Sequence, residues 1–482
     1  MYYRGLVRLS VSTETIVNQI RDARVALFRS VGIVAAIALG IGVLGAFGLA
    51  SIITRPLMKV VDGIKKIRDT EDMKSLHDFS ITVKTRDELA LLAGTINEMT
   101  AGLVKAAKEA EFLTVGKSVQ KMFIPLEVNS QGEKLTTGYE NLPTHSFFGY
   151  YEGAKGVSGD YFDYRPLDDR FYAFIKCDVS GKGVPAALIM VGVATIFTTG
   201  FQGWSYKKDG IHLDALTERI NDYLYKKGFK GLFAALVMGV FDSKNGDVHL
   251  CHAGDKFVRV YKPATREVVQ HELQSAPAAG AIDPELVSLA AAYKQVTIKL
   301  DHGDSLLLYT DGFEESSRAR RGRDFRQLFE MVEIKDAEGK INKHREDLVE
   351  QLGEDRIKEL TIAIMTKSTY TLRKQDDPLG PENTFDFDFS ALEGTSEDLV
   401  IGLAAAEKVL RIVPDPSATP SDLIIVDSKI DDLLSRCWKQ YPRYCAIKQD
   451  HTDPRSKEYR FYGRLREDEQ YDALTMMLIR RH

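Results

Sequence analysis

The stretch FYAFIKCDVSGKGVPAALIMVGVATIF, residues 171–197, decides the fold. Its first half is apolar and β-branched enough for a buried strand, and the strand stops at Asp178. VSGKG, residues 179–183, is a flexible turn, and Pro185 suits the first turn of the helix that follows. Working outward, HLDALTERINDYLYKK (212–227) puts Leu213, Leu216, Ile220, Tyr223 and Leu224 on one helical face. GLFAALVMGVFD (231–242) and DVHLCHAGD (247–255) read as two strands joined around Asn245-Gly246, a hairpin signal. FVRVYKP (257–263), AYKQVTIKL (292–300) and DSLLLYTDG (304–312) continue the run of strands, and ALTMMLIRR (473–481) closes it. Strands with two long helices among them predict an α+β layered sandwich, not a doubly wound sheet.

The chemistry lies where these strands stop. Asp178 follows a buried strand, Asp311 ends LLLYT and precedes Gly312, Asp472 precedes the last strand, and Asp160 lies in GVSGDYFDY before the strand that carries Asp178. Any one of them alone is an ordinary turn former. Gathered together, carboxylates repel one another unless cations neutralise them, and oxygen ligands alone suit magnesium or manganese. Two such ions sharing one carboxylate would hold a water as hydroxide for in-line attack on a phosphate.

QKMFIP (120–125), GVSGDYFDY (156–164), DVSGKGVPAAL (178–188), YTDGFEE (309–315) and YDALTMMLI (471–479), in this order, make residues 145–317 plus 470–481 resemble the SpoIIE-like branch of the PPM (protein phosphatase 2C-related) phosphatases. The resemblance implies a four-layer αββα sandwich with a site for two Mn2+ or Mg2+ ions. It implies that Asp178 bridges both metals, that the Val179 carbonyl joins one, that Asp311 and Asp472 complete the other, and that Asp160 holds metal-bound water or a further ion. Asp178 and Asp160 are thus the expected catalytic residues, and Asp160, Asp178, Val179, Asp311 and Asp472 the expected metal ligands. The implied substrate is a phosphoserine or phosphothreonine on a STAS-type anti-sigma antagonist. Two departures stand out. Ala473 follows Asp472 where relatives carry a second polar residue, and His252-Ala253-Gly254-Asp255 replaces an Asn-Ala-Gly-His turn. Asp255 is expected to cap the turn rather than add a carboxylate. His252 is expected to be packed rather than a proton donor, and Cys177 to be a small core residue.

The N-terminal part reads differently. Between Arg29 and Arg55 lies SVGIVAAIALGIGVLGAFGLASIIT (30–54), free of charge and long enough to cross a bilayer core of roughly 30 Å. Ala38, Gly42, Ala46 and Ala50 form a small-residue row that a second helix can approach. Arg21, Arg24 and Arg29 precede the run, whereas Arg55, Lys59, Lys65, Lys66 and Arg68 follow it, which places the C-terminal side in the cytoplasm. Four cysteines without a CxxC pair suit that reducing compartment. Residues 1–29 are expected to be the remnant of an extracytoplasmic domain, with YRGLVRLSVSTETI (3–16) alternating like a strand and TIVNQIRDARVALF (15–28) helical.

After Pro56, Leu57, Val60, Val61, Ile64 and Ile67 mark one amphipathic helix, and Leu89, Leu92, Ile96, Met99 and Leu103 mark a second. With the RPL opening, DEL and NEM, residues 55–105 resemble a HAMP domain, which implies a four-helix bundle made with a second chain. Residues 106–125 are the expected linker helix, ended by Pro125, and 126–482 the phosphatase domain with an insertion at 318–469. In that insertion SRARRGRDFR (317–326) reads as a solvated loop, with a docking patch as the alternative. QDDPLGPENTFDFDF (375–389) reads as an acidic linker. TSEDLVIGLAAAEKVLRIV (395–413) and IDDLLSRCWK (430–439) read as helices of a subdomain placed to choose the protein substrate.

Composition narrows the classes. With 64 basic against 69 acidic residues, a net charge of −5 and no long basic block, no nucleic-acid surface is expected. A nucleotide cyclase would need a GGDEF-like signature, which SGDYFDY is not, and a histidine kinase would need a histidine in residues 105–125. The sequence thus predicts a single-pass protein of the cytoplasmic membrane, contacting lipid through residues 30–54 and dimeric through HAMP and linker helix. The expected activity is a HAMP-regulated serine/threonine phosphatase attacking with metal-bound hydroxide; the alternative is a degenerate phosphatase fold kept as a binding module.

Overall fold

The structure is a computed structural model that describes residues 13–482 except 71, 86, 131, 154–156, 230, 291, 325, 336–340, 376–383, 416–423, 447–458, 463 and 471. It divides into two compact units, Met1–Phe112 and Leu113–His482.

In the first unit, helix Thr13–Leu49 has 37 residues and a mean hydropathy of 2.3 over its most apolar window, long and apolar enough to cross a membrane. It passes through a π-type turn, Ala50–Thr54, into helix Arg55–Arg68. Most of the strand expected at 3–16 lies outside the described residues, and its last four, Thr13 to Ile16, are already helical. A short 3-10 turn, Met73–Leu76, separates Arg55–Arg68 from the start of helix Glu88–Phe123. Val60, Ile67, Leu76, Ile81, Ala93, Ile96 and Val104 form a small core. The side chain of Asn97 fastens the connector by accepting from Ile81 N at 2.8 Å and donating to its carbonyl at 3.0 Å. Other residues of the two expected stripes are not covered within one chain: Leu57, Ile64, Leu92, Met99 and Leu103 are all exposed.

The second unit holds two antiparallel sheets. One has the order β3-β4-β5-β6-β9: Tyr161–Pro166, Phe171–Val179, Ala234–Asp242, Asp247–Ala253 and Val296–Lys299. The other runs β1 (Thr137–Asn141), β2 (His145–Glu152), the C-terminal strand Leu474–Arg481, β10 (Ser305–Tyr309), β7 (Phe257–Lys262) and β8 (Glu267–Glu272). Alternation along the second sheet sorts its side chains into two cores. Phe147, Leu306, Leu308, Met477 and Ile479 face the first sheet, sharing a core with Phe162, Phe174 and Met238 and with helices Val184–Gly200 and Leu213–Lys227. Phe148, Leu307, Met476 and Leu478 face the other way, against helices Gly353–Met365, Ser396–Arg411 and Ser428–Cys437. The result is the expected αββα sandwich. The second sheet is buried on both faces, which is why SLLLY and TMMLI are unbroken apolar runs.

Three expectations about the insertion need correction. Its helices are the fourth layer of the sandwich itself, not a separate subdomain: Leu399, Val400 and Leu403 join the same core as Phe148 and Leu478. The expected Thr395 cap is present as a capping box with Asp398, its two bonds 3.0 and 3.1 Å long. The arginine run is not solvated throughout: Arg323 and Arg326 are exposed, but two of its arginines are buried in ion pairs. Arg318 is 1% exposed and paired with Glu350 at 2.5 Å, and Arg321 is buried and paired with Asp468. Of the acidic linker, residues 376–383 lie outside the described residues, and Thr384–Asp388 is a strand paired with Thr369–Arg373.

Candidate metal centre

The four aspartates come from strand ends of both sheets. Asp160 immediately precedes β3, and Asp178 is the penultimate residue of β4, opposite Ala235 of β5. Asp311 opens a short helix just after β10, and Asp472 stands two residues before the C-terminal strand, which pairs with β10. Two glycines allow the close approach. A Cβ on Gly159 would lie 2.3 Å from the Val179 carbonyl oxygen. One on Gly312 would lie 2.2 Å from the Ala473 carbonyl and 3.1 Å from the Asp472 Cβ. Side chains at these positions would pry the Asp160 loop from the end of β4 and the Asp311 turn from Asp472.

Electrostatics reports the crowding. Burial, then the charges of Asp160 and Asp311 and a hydrogen bond shared with Asp311, push the Asp178 carboxyl up to about 9, against the pull of Lys176. Burial pushes Asp160 up to about 7; the hydroxyls of Thr475 and Thr310 and the Lys176 charge oppose this, and Asp472 adds to it. Thr310 Oγ1 donates to Asp160 Oδ2 at 2.8 Å, and the Asp160 N–H donates to Ser158 Oγ at 3.0 Å. Asp472 is half-exposed, with 45% of its side chain open, and Asp311 is exposed as well, whereas Asp160 is buried. Its Oδ1 accepts from Ala473 N at 2.9 Å, and Lys182 Nζ lies 3.3 Å from its Oδ2. Gln470 Nε2 donates to the carbonyls of Asp472 (2.8 Å) and Glu152 (3.1 Å), tying this loop to the end of β2.

Among the described residues, no three His, Cys, Asp or Glu side chains are drawn together closely enough to hold a cation as they stand. The donor set nevertheless has the chemistry of a hard divalent ion. It is all oxygen, and burial, with neighbouring carboxylates adding to it, raises two of the carboxyls, Asp160 and Asp178, well above the ordinary carboxylate range. Asp160, Asp178, Asp311, Asp472 and the Val179 carbonyl are the residues that would hold such ions.

Sequence reasoning missed one charge. Lys176, 3% exposed, lies in β4 two residues before Asp178 and so on the same face. Its ammonium pairs with Asp255 and donates to the Tyr309 carbonyl at 3.1 Å. Burial opposes the charge, but Asp255, Asp178 and Asp160 outweigh it and hold the lysine above its ordinary range. Asp255 is therefore the counter-ion of a buried lysine, not simply a turn cap. A lone lysine in an apolar strand, two positions from a candidate ligand, was the available signal. His252 is packed as expected: its Nε2 lies 2.7 Å from the Gln274 carbonyl, and burial lowers its pKa. Cys177 is wholly buried, and burial pushes its thiol far above the range of a nucleophile.

Comparison with known proteins gives a match of residues 168–362 to the family model of stage II sporulation protein E (SpoIIE). Protein IcfG of Synechocystis sp. is 25% identical over 272 residues, which cover 50% of this chain and 40% of IcfG. The chain therefore spans less than half of that relative. The SiaA-PP2C domain of Pseudomonas aeruginosa is 14% identical with a TM-score of 0.39, over 78% of this chain and 98% of that one. The RsbU and RsbW domains of Rv1364c from Mycobacterium tuberculosis are 16% identical with a TM-score of 0.36, over 71% of this chain and 61% of that one.

Proposed function

We propose, from the premise that residues 168–362 form a SpoIIE-type domain, that this chain is a metal-dependent protein serine/threonine phosphatase tethered to the cytoplasmic membrane. The observation that carries the reading is the placement of Asp160, Asp178, Asp311 and Asp472 at strand ends of both sheets, where burial first and neighbouring carboxylates second raise the carboxyls of Asp160 and Asp178. Bound manganese or magnesium supplies Lewis acidity toward water and phosphoryl oxygen. The chain's own residues do the rest. Asp178 and Asp311, with Asp472, hold the cations; Thr310 fixes the orientation of Asp160 by donating to one of its oxygens. Lys176 is neutralised by Asp255, so it sets the field behind the site without competing for the substrate. Lys182, 58% exposed beside Asp472, is placed to meet a phosphate oxygen at the mouth.

The substrate proposed is a phosphoserine or phosphothreonine of a regulatory protein, a STAS-type antagonist being the class that the SpoIIE-like resemblance implies. Regulation is assigned to residues 55–105 as a HAMP unit. Its exposed apolar row, Leu57, Ile64, Leu92, Met99 and Leu103, needs a second copy to cover it, which supports a homodimer. Residues 30–54, in helix Thr13–Leu49 and the turn after it, are the proposed membrane span, and the excess of Lys and Arg after them puts the C-terminal side in the cytoplasm. The test is phosphate release from a phosphoserine protein by the detergent-solubilised full chain, with Mn2+, with Mg2+ and with EDTA. Metal-dependent release supports the reading. Phosphoprotein binding without release under any metal replaces it with the degenerate binding module that Ala473 first suggests.

A further inference from the structure

Gln120, in the last turns of helix Glu88–Phe123, is 2% exposed, and its amide is spent entirely on one loop. Its Oε1 accepts the Ser158 N–H at 3.0 Å, while its Nε2 donates to the Ser158 carbonyl at 2.6 Å and to the Asp160 carbonyl at 3.4 Å. One helical turn earlier, Gly116 lies so close to the loop that a Cβ there would be 2.9 Å from Val157 Cγ1. The loop in turn holds Asp160 N–H on Ser158 Oγ at 3.0 Å.

We propose that Gln120 is a positioning residue for the metal centre: its side-chain amide serves as a strand-like partner for Ser158 and sets where Asp160 stands. The inference rests on the reading of Asp160 as part of a cation site and adds the residue that governs it. Buried backbone groups released from such a partner must find another or reach water, so the loop has two states, clamped and displaced. Rotation of the helix about its own axis withdraws Gln120 and frees the loop, so the seat of Asp160 depends on the setting of this helix. A glutamine fits the task because it offers both a donor and an acceptor; glutamate at this position keeps only the acceptor for Ser158 N–H.

The test compares wild type, Gln120→Ala, Gln120→Glu and the control Val119→Ala, whose side chain is 48% exposed one residue away. The full chain in detergent is used, with hydrogen exchange at the Ser158 amide and Mn2+ titration followed by thermal shift. Gln120→Ala is expected to speed Ser158 exchange about tenfold and to weaken Mn2+ binding about 10–100-fold. Gln120→Glu should fall between it and wild type, and Val119→Ala should match wild type. Unchanged exchange in Gln120→Ala overturns the clamp, and faster exchange with unchanged Mn2+ affinity overturns the positioning of Asp160. If wild type takes up no Mn2+, it is the phosphatase reading that fails; the clamp itself is then decided by Ser158 exchange.

Discussion

Replacing Asp255 by asparagine is expected to destabilise the metal-free protein by about 2–4 kcal/mol. The figure follows from where the charges sit. The Lys176 side chain is 4% exposed and that of Asp255 22%. Removing the carboxylate leaves an ammonium in a dry site with the Tyr309 carbonyl, 3.1 Å away, as its close partner. Breaking a fully buried pair costs about 3–5 kcal/mol, and water reaching the half-open aspartate side trims that. Lys176→Met is the milder change, about 1–2 kcal/mol, because the carboxylate it strands has water within reach. The double variant leaves no unpaired charge and should cost no more than Lys176→Met alone, a coupling of about 2 kcal/mol or more. Chemical denaturation of the solubilised chain in EDTA measures all four proteins with the cation site kept empty. Simple addition of the two single costs in the double variant would refute the pairing. So would Asp255→Asn lying within about 0.5 kcal/mol of wild type, the scatter of an ordinary surface change.

Three further outcomes are expected. Asp160 and Asp178 bind protons more tightly folded, at about 7 and 9, than at the ordinary 3.8, so their contribution to metal-free stability is full below 3.8 and is lost as pH rises through 7 and then 9. Melting in EDTA should therefore fall across that window, and the stabilisation by Mn2+ should be larger at pH 8 than at pH 6. Gly159→Ala and Gly312→Ala, whose new Cβ atoms would lie 2.3 and 2.2 Å from carbonyl oxygens, should each abolish the Mn2+-dependent thermal shift; a wild-type shift in either would contradict the close approach described. Glu350→Gln removes the buried carboxylate that pairs with both Arg318 and Arg356 and should cost about 3–5 kcal/mol by denaturation, whereas Asp324→Asn, on an exposed pair with Arg326, should change stability by less than about 0.5 kcal/mol.

What the sequence revealed and what it hid follow one physical division. Local pattern was legible: the strand ending at Asp178, the turn, and the helix from Val184 read directly from residues 171–197. The aspartates were legible because each stands at the end of an apolar run. The insertion was misread because helix Ser396–Arg411 is buried on nearly every side, so it shows no clean stripe to say what it packs on. Long-range pairing was equally hidden. The partners of Arg318 and Arg321 lie 32 and 147 residues away, and Lys176 meets Asp255 across 79 residues. A run of arginines reads as solvated until those partners are known. Gln120 stands at the head of QKMFIP, yet nothing local marks its amide as the partner of Ser158, 38 residues on.

The most direct measurement of the central claim is manganese-dependent turnover of a phosphoserine protein by wild type, Asp178→Asn and Asp311→Asn, with Mn2+ binding followed on the same samples. The four-aspartate site predicts turnover in wild type and a loss of about 100-fold or more in each variant, with weakened Mn2+ binding. Turnover indifferent to both substitutions, or a wild-type chain inert with every divalent metal, would contradict it.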